Sequence, residues 1–483
     1  MGGTDSSSDR VLRDQGVTIT ALPDDVLLEI FVYVICQKRT WSLPEGPKHF
    51  EDGWRTLVHV CKRWRSVVFS SPCRLDLRLL CTNRRPVKKL LNIWPPVHIY
   101  VFACNDAAPL LPLPGVANIV AALQQHDRVC EISIYGVPSS LLGTFATNDP
   151  FPVLKTLSLS SSSNDERSQV LPDSFLGGSA PCLQSLYLAG IPFPGLGKLL
   201  LSTTDLVSLS LHDIPHSGYI SPEAMVASLS MLTRLEALEL SQSPRSRADR
   251  ENRHLPPLTH VVLPALTRLW FKGDSEYWED IIFRIDAPLL DSMNIRFFNQ
   301  LSFDTPQLHH FISRTGISMA PICTRIYFYH GYVTVKPFRR LSLGILCKPS
   351  DWQLSSLSQL YNSALSPLPS VPTPEHLEIH NCRKYWEDET ESVQWLEFLR
   401  LFPSVKDLVL SKKSFRLVAP ALNELGEESI TEVLPMLQNI VLQGPQPSEP
   451  DNKELEKFIS TRQLLGSPVI VQHRDGEDLD GLV

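Results

Sequence analysis

The sequence predicts an α/β fold in which a short N-terminal helical block leads into a long, irregular solenoid with a parallel sheet. Three observations predict it. A spaced-leucine pattern, L-x-x-L-x-L, recurs along most of the chain. Stretches of helical spacing lie between some of its recurrences. The composition agrees: 72 of 483 residues are leucine, 43% are hydrophobic and 20% are charged, enough to bury a sizeable core.

Residues 1–18 are polar and read as a disordered tail. Met1-Gly2 with Ser6 fits an N-myristoylation pattern, but no polybasic segment adjoins it to make an anchor stable. The helical block spans 19–73. Pro23 suits a first helical turn, where its missing N–H would be unpaired anyway. Asp24 and Asp25 follow, where the positive end of the helix dipole favours carboxylates. Val26, Leu27, Ile30, Phe31 and Val34 then make one apolar stripe. A second helical stretch runs from Trp54 to Ser71, with Trp54, Leu57, Val58 and Cys61 sharing a face. On this reading Cys61 is a packing residue, despite Lys62 and Arg63 beside it. A block this small cannot bury all these side chains alone, so a partner or the adjoining repeat must cover them.

From 74 to 471 the chain repeats. Leu154, Leu157 and Leu159 set the pattern; Leu183, Leu186, Leu188, then Leu206, Leu209, Leu211, then Leu235, Leu238, Leu240 continue it. Leu266, Leu269, Phe271 follow, then Leu289 or Leu290 with Met293 and Ile295. The last apolar position falls at 134, 159, 188, 211, 240, 271 and 295; the register then loosens through 328, 343, 379, 410 and 442. This is the strand segment of a leucine-rich repeat. Alternation gives each strand one buried face, and a parallel neighbour requires a returning segment, usually a helix. Ser221–Leu232, capped by Ser221 with Pro222 in its first turn, and Ser392–Leu401 are candidate return helices. No unit closes its own core, so stacking is required. Two loops stand apart: 244–254 carries Arg245, Arg247, Arg250 and Arg253, suited to an acidic or phosphorylated partner, and 366–374 carries four prolines. Residues 472–483 read as an acidic tail.

The two halves of the N-terminal block resemble an F-box. They are L-P-x-D-V-L-L-E-I-F, from Leu22 to Phe31, and L-x-x-V-C-K-R-W-R, from Leu57 to Arg65. The whole layout is similar to F-box proteins with degenerate leucine-rich repeats, a group large in fungi. The resemblance implies docking to a Skp adaptor, and through it to a cullin scaffold of a ubiquitin ligase. It further implies that the repeats capture a protein substrate. The adaptor positions it implies are Leu22, Pro23, Val26, Leu27, Ile30, Phe31, Leu57, Val60, Cys61, Trp64 and Val68, some facing the adaptor and some forming the block's own core. The chain departs from the motif twice. Residues 36–53 form a longer connection, and Pro72-Cys73-Arg74-Leu75-Asp76-Leu77 replaces the closing Leu-Trp.

Outward strand positions would read the substrate, with Tyr187, Arg234, Arg268 and Trp270 as candidates. No catalytic or metal-binding constellation emerges, and no cofactor is expected. Gly195-Leu196-Gly197-Lys198 lacks the remaining Walker residues. His376 and His380 lie four apart on a strand, too far to share a metal, and read as solvent-facing. His309 and His310 read as surface or helix-edge residues. The ten cysteines form no C-x-x-C pair and read as reduced thiols of an intracellular protein. A net charge of −7 argues against a nucleic-acid partner, and no apolar run is long enough for a membrane partner. The expected protein is therefore a non-catalytic ligase subunit in the cytoplasm or nucleus. The alternative is an interaction scaffold without ubiquitin transfer.

Overall fold

The computed structural model describes residues 19–40, 53–84, 86–104, 113–137, 141, 149–161, 170–242, 260–300, 302–317, 323–347, 354–365, 373–382, 392–425, 429–444 and 449–474. The Arg245–Arg253 loop, the tail before 19, the tail after 474 and most of the proline-rich loop lie outside these residues. The fold is mixed α/β. It divides into two units, one of residues 1–103 and 111–131, the other of 104–110 and 132–483.

In the first unit, α1 (Asp24–Thr40) opens with Asp24 and Asp25 in its first turn, as its dipole favours. The second helical stretch is two helices, α2 (Gly53–Val58) and α3 (Lys62–Ser70). Cys61 is the reason. Its backbone is extended, and its Sγ accepts the Trp64 N–H at 3.4 Å, which caps α3. The thiol is exposed, so Cys61 terminates one helix and starts another instead of packing on an apolar face. Strands β1 (Arg78–Thr82) and β2 (His98–Ala103) pair in parallel, with α4 (Val87–Ile93) between them and α5 (Leu113–Leu123) after. Trp54 joins these parts. Its indole N–H donates to the Arg78 carbonyl at 2.9 Å, and its ring meets Trp94 edge-on at 5.1 Å. The helical block thus shares its core with the first strands, which cover part of its apolar surface.

Strand β3 (Val129–Tyr135) contains the division between the units. The second unit begins with β4 (Thr156–Ser160), β5 (Ser185–Ala189), β6 (Ser208–Ile214), β7 (Ala237–Gln242), β9 (Arg268–Gly273) and β11 (Ser292–Phe298), hydrogen-bonded in that order. All are parallel, and Leu157, Leu186, Leu209, Leu238, Leu269 and Met293 stand in one row. Every spaced leucine of this stretch is buried, and the ambiguous position resolves to Leu290, since Leu289 is 60% exposed. A second ladder links the repeats below the strands. The Lys155 carbonyl accepts from Gln184 and Ser185, Gln184 from Val207 and Ser208, and Val207 from Glu236 and Ala237. One carbonyl thus satisfies two N–H groups at each strand entry, which holds the repeats in step although their loops differ in length. Short strands β8 (Val261–Val262) and β10 (Ile285–Asp286) pair separately.

Helices α6 (Leu196–Ser202), α7 (Pro222–Leu229), α8 (Ser275–Ile282), α9 (Pro306–Ser313), α10 (Leu354–Leu365), α11 (Ser392–Leu399), α12 (Lys412–Asn423) and α13 (Glu449–Leu464) each pack on the next. Ser221 caps α7 through Ala224 N–H at 3.2 Å, with Pro222 in the first turn, as its sequence requires. Helix α11 occupies the second expected return segment, ending at Leu399.

The all-parallel expectation fails after residue 300. Strands β12 (Thr324–Tyr329), β13 (Tyr332–Phe338) and β14 (Leu341–Leu346) form an antiparallel meander placed in reverse. β14 lies beside β11, and β12 beside β15 (His376–Asn381). The loosened spacing there is this meander and not a stretched repeat. The two-residue links His330–Gly331 and Arg339–Arg340 make it possible, because antiparallel strands need no crossover. Beyond it, β15, β16 (Asp407–Ser411), β17 (Asn439–Gln443) and β18 (Ile470–Arg474) resume parallel order. The repeats therefore run to 474, past the expected boundary at 471.

Candidate interaction surfaces

The eleven candidate residues of the helical block separate by burial. Leu27, Phe31 and Val68 are fully buried and Leu57 nearly so; these four form the block's own core. Pro23, Val26, Val60 and Cys61 are exposed, and Leu22, Ile30 and Trp64 are half-buried. Arg63 gathers the exposed set. Its guanidinium holds Asp24 at 2.7 and 2.9 Å and donates to the Leu22 carbonyl at 2.5 Å. Phe31 and Trp64 rings meet at 4.8 Å. The start of α1 is thereby fixed against the α2–α3 junction, with Val26 and Val60, 40% and 58% exposed, left without cover. Apolar side chains held on a fixed frame are what a partner can bury. The longer connection at 36–53 lies mostly outside the described residues.

The sheet offers a second surface in the other unit. Helices cover one face, and the alternate strand residues lie on the other, many half-exposed. Tyr187 and Trp270 both belong to it, and His212 bridges them: its ring is 5.2 Å from each. Its Nε2 lies 3.0 Å from Glu239 Oε2. Arg234 and Arg268 are exposed near strand entries, and Arg234 is held by Asp205 at 2.9 Å. The structure thus joins Tyr187 to Trp270, and Arg268 stands two residues before Trp270 on the same face of β9.

The meander adds residues that the repeat pattern did not single out. Tyr332, Tyr329, Tyr327 and His380 stack in sequence, at 4.4, 6.0 and 4.9 Å between ring centres. Arg296 reaches from β11 across β14 to lie 4.2 Å over the Tyr332 ring. Gly344 stands beside Arg296 in the ladder and gives it no side chain to cross. A Cβ at Gly344 would stand 2.7 Å from the Val333 carbonyl oxygen. Lys336 lies 4.9 Å over Tyr327. Arg325 donates to Glu378 at 2.7 Å. The bond from His380 first, and that from Arg325 next, hold the Glu378 carboxyl down to about 2 against the opposing effect of burial. His380 is buried here, against the solvent-facing position expected of it. His376 is exposed and pairs with Asp407 at 2.7 Å, so the two histidines serve different carboxylates. His309 is half-buried and His310 exposed on α9.

Among the described residues no helix is long and apolar enough to cross a membrane. No group of three or more His, Cys, Asp or Glu among them is placed to hold a metal ion.

No protein-family model matches the chain, and no curated protein matches it. Among solved structures it is similar to the leucine-rich repeat-containing protein LegL7 from Legionella pneumophila. The identity is 12% and the TM-score 0.24, over 79% of this chain and 97% of that one.

Proposed function

We propose that the chain is the substrate-recognition subunit of a Skp–cullin–F-box ubiquitin ligase. The N-terminal helices dock the Skp adaptor, and the open face of the sheet captures a protein substrate. The observation that carries this reading is the Arg63 clasp. It ties Leu22 and Asp24 of the first motif half to Arg63 of the second, which supports reading the exposed residues of both halves as one surface. Chemistry then belongs to the other subunits, and this chain supplies selectivity in the cytoplasm or nucleus. The test is capture of purified Skp adaptor by the intact chain. Binding with co-purification of cullin supports the reading; absence of adaptor binding at micromolar concentration sinks it.

A second reading is an interaction scaffold without ubiquitin transfer. It is favoured by the way Trp54 and Phe69 are spent inside the first unit, where both meet Trp94, so that this part of the block serves as a cap for the first strands. In that case affinity purification returns protein partners but neither adaptor nor cullin.

A further inference from the structure

The meander strands carry a charge arrangement that the fold itself does not require. Arg296 and Lys336 form no ion pair among the described residues, although Arg325 beside them is matched by Glu378. Arg296 Nε is closed off from solvent and has no hydrogen-bond partner among the described residues. Burial, and then the nearby charges of Arg296 and Arg325, hold the Lys336 ammonium below the usual lysine range. The local field is therefore positive and uncompensated. Between the two cations lies a ready-made surface of stacked Tyr332, Tyr329 and Tyr327. The rings cover one another's faces, so their edges and hydroxyls are what a partner meets, with little side-chain freedom left to lose.

The spacing discriminates between anions. Arg296 stands over Tyr332 and Lys336 over Tyr327, with Tyr329 stacked between. These are two separate anchoring points and not one focus. Carboxylates spaced along an extended chain fit them better than one compact anion such as a phosphoryl group. Arg296 reaches past the side-chain-free position at Gly344 to Tyr332, where its guanidinium can meet a carboxylate through paired N–H groups.

We propose that the open face of β11, β13 and β12 binds an extended acidic segment of a protein partner. Its carboxylates meet Arg296 and Lys336, and its intervening side chains lie on Tyr332, Tyr329 and Tyr327. This rests on the reading of the sheet face as the partner-binding surface, and it names the chemistry of that partner.

The test uses the full chain on an array of synthetic peptides. The peptides place two Asp or Glu residues at varied spacings among Tyr, Leu and Ser, with matched Asn/Gln and phosphoserine versions. Acidic peptides should be retained over their amide versions, less so as salt rises. Arg296→Gln combined with Lys336→Gln should lower that retention at least roughly tenfold, since each lost charge-assisted bond alone accounts for about that factor. Arg296→Lys with Lys336→Arg should keep most of it, and thermal unfolding of each variant separates lost binding from lost fold. No preference for acidic over amide peptides overturns the proposal. So does a preference that survives the double Gln variant, or retention of phosphoserine peptides alone. Adaptor capture is read on the same variants. Absent acidic preference in the native chain with intact adaptor capture removes this inference alone. Absent adaptor capture with intact preference removes the ligase reading alone.

Discussion

At the scale of single residues, burial decides which member of a motif does what. Leu27 and Val26 are neighbours, yet one is fully buried and the other 40% exposed. Leu27→Ala should cost about 2–5 kcal/mol of stability by leaving a cavity, visible in urea unfolding. Its effect on adaptor capture would then follow from lost fold. Val26→Asp with Val60→Asp should leave the unfolding midpoint nearly unchanged and abolish adaptor capture in the same pull-down. Adaptor capture unchanged by that pair would discard the exposed face as the docking surface. Arg462 shows the opposite use of a charge. It is 1% exposed, and its guanidinium donates to the carbonyls of Ile430, Leu434, Pro435 and Leu437. Arg462→Ala strands those acceptors and should destabilise the C-terminal repeats by about 2–4 kcal/mol, measured by hydrogen exchange at β17 and β18. The leucine positions were legible in the sequence because burial in a strand has a period of two. The role of Cys61 was not. A cap depends on where the chain turns, and the apolar stripe from Trp54 to Cys61 concealed the turn.

At the scale of elements, helix ends and hairpins decide the layout. Glu279 on α8 caps the next helix, α9, by accepting the N–H groups of Gln307 at 2.7 Å and Leu308 at 2.9 Å. Burial nevertheless pushes its carboxyl up to about 7, with Asp304 and Asp280 adding to the rise and the two N–H groups opposing it. The folded value lies above the unfolded one, so the stabilisation is complete below about pH 4.5 and is lost as pH rises through about 7. Glu279→Gln removes this dependence. Between pH 5 and 8 the native chain should lose roughly 1–2 kcal/mol relative to the variant, after allowance for solvent screening. Urea unfolding of both at several pH values reads the difference, and parallel pH profiles would refute it. The return helix at Ser221 was legible from its cap and proline. The meander was legible too, in Thr324–Tyr329 and Tyr332–Phe338 flanking His330–Gly331. Strict alternation around a two-residue link is a hairpin signal. It was missed because the leucine pattern was extended through it, and a parallel strand and a hairpin strand share the same period. What no local pattern showed was the stacked row of Tyr332, Tyr329, Tyr327 and His380, since it is assembled from three strands whose order only the folded sheet reveals.

At the scale of the whole molecule, neighbour-to-neighbour stacking makes stability a sum over adjoining repeats. Nested C-terminal truncations should therefore gain stability stepwise, except across the meander. A chain ending at 338 contains β12 and β13 but lacks β14, the strand that joins them to β11. It should be no more stable in urea than a chain ending at 317. One ending at 347 should gain sharply. A smooth rise through all three lengths would contradict the reversed order. The same order has a consequence for the ribosome. From β4 to β11 each newly emerged strand of the large sheet can be laid on the one before it, and the growing edge advances with synthesis. Then the advance halts: the place next to β11 belongs to a segment beginning at Leu341, and β12 and β13 leave the exit tunnel before it. For that interval the nascent chain carries an open edge at β11 and an unmoored hairpin, both ready to join a wrong neighbour. A chaperone bound during that interval would shield the open edge, and a slowed codon there would prolong its exposure.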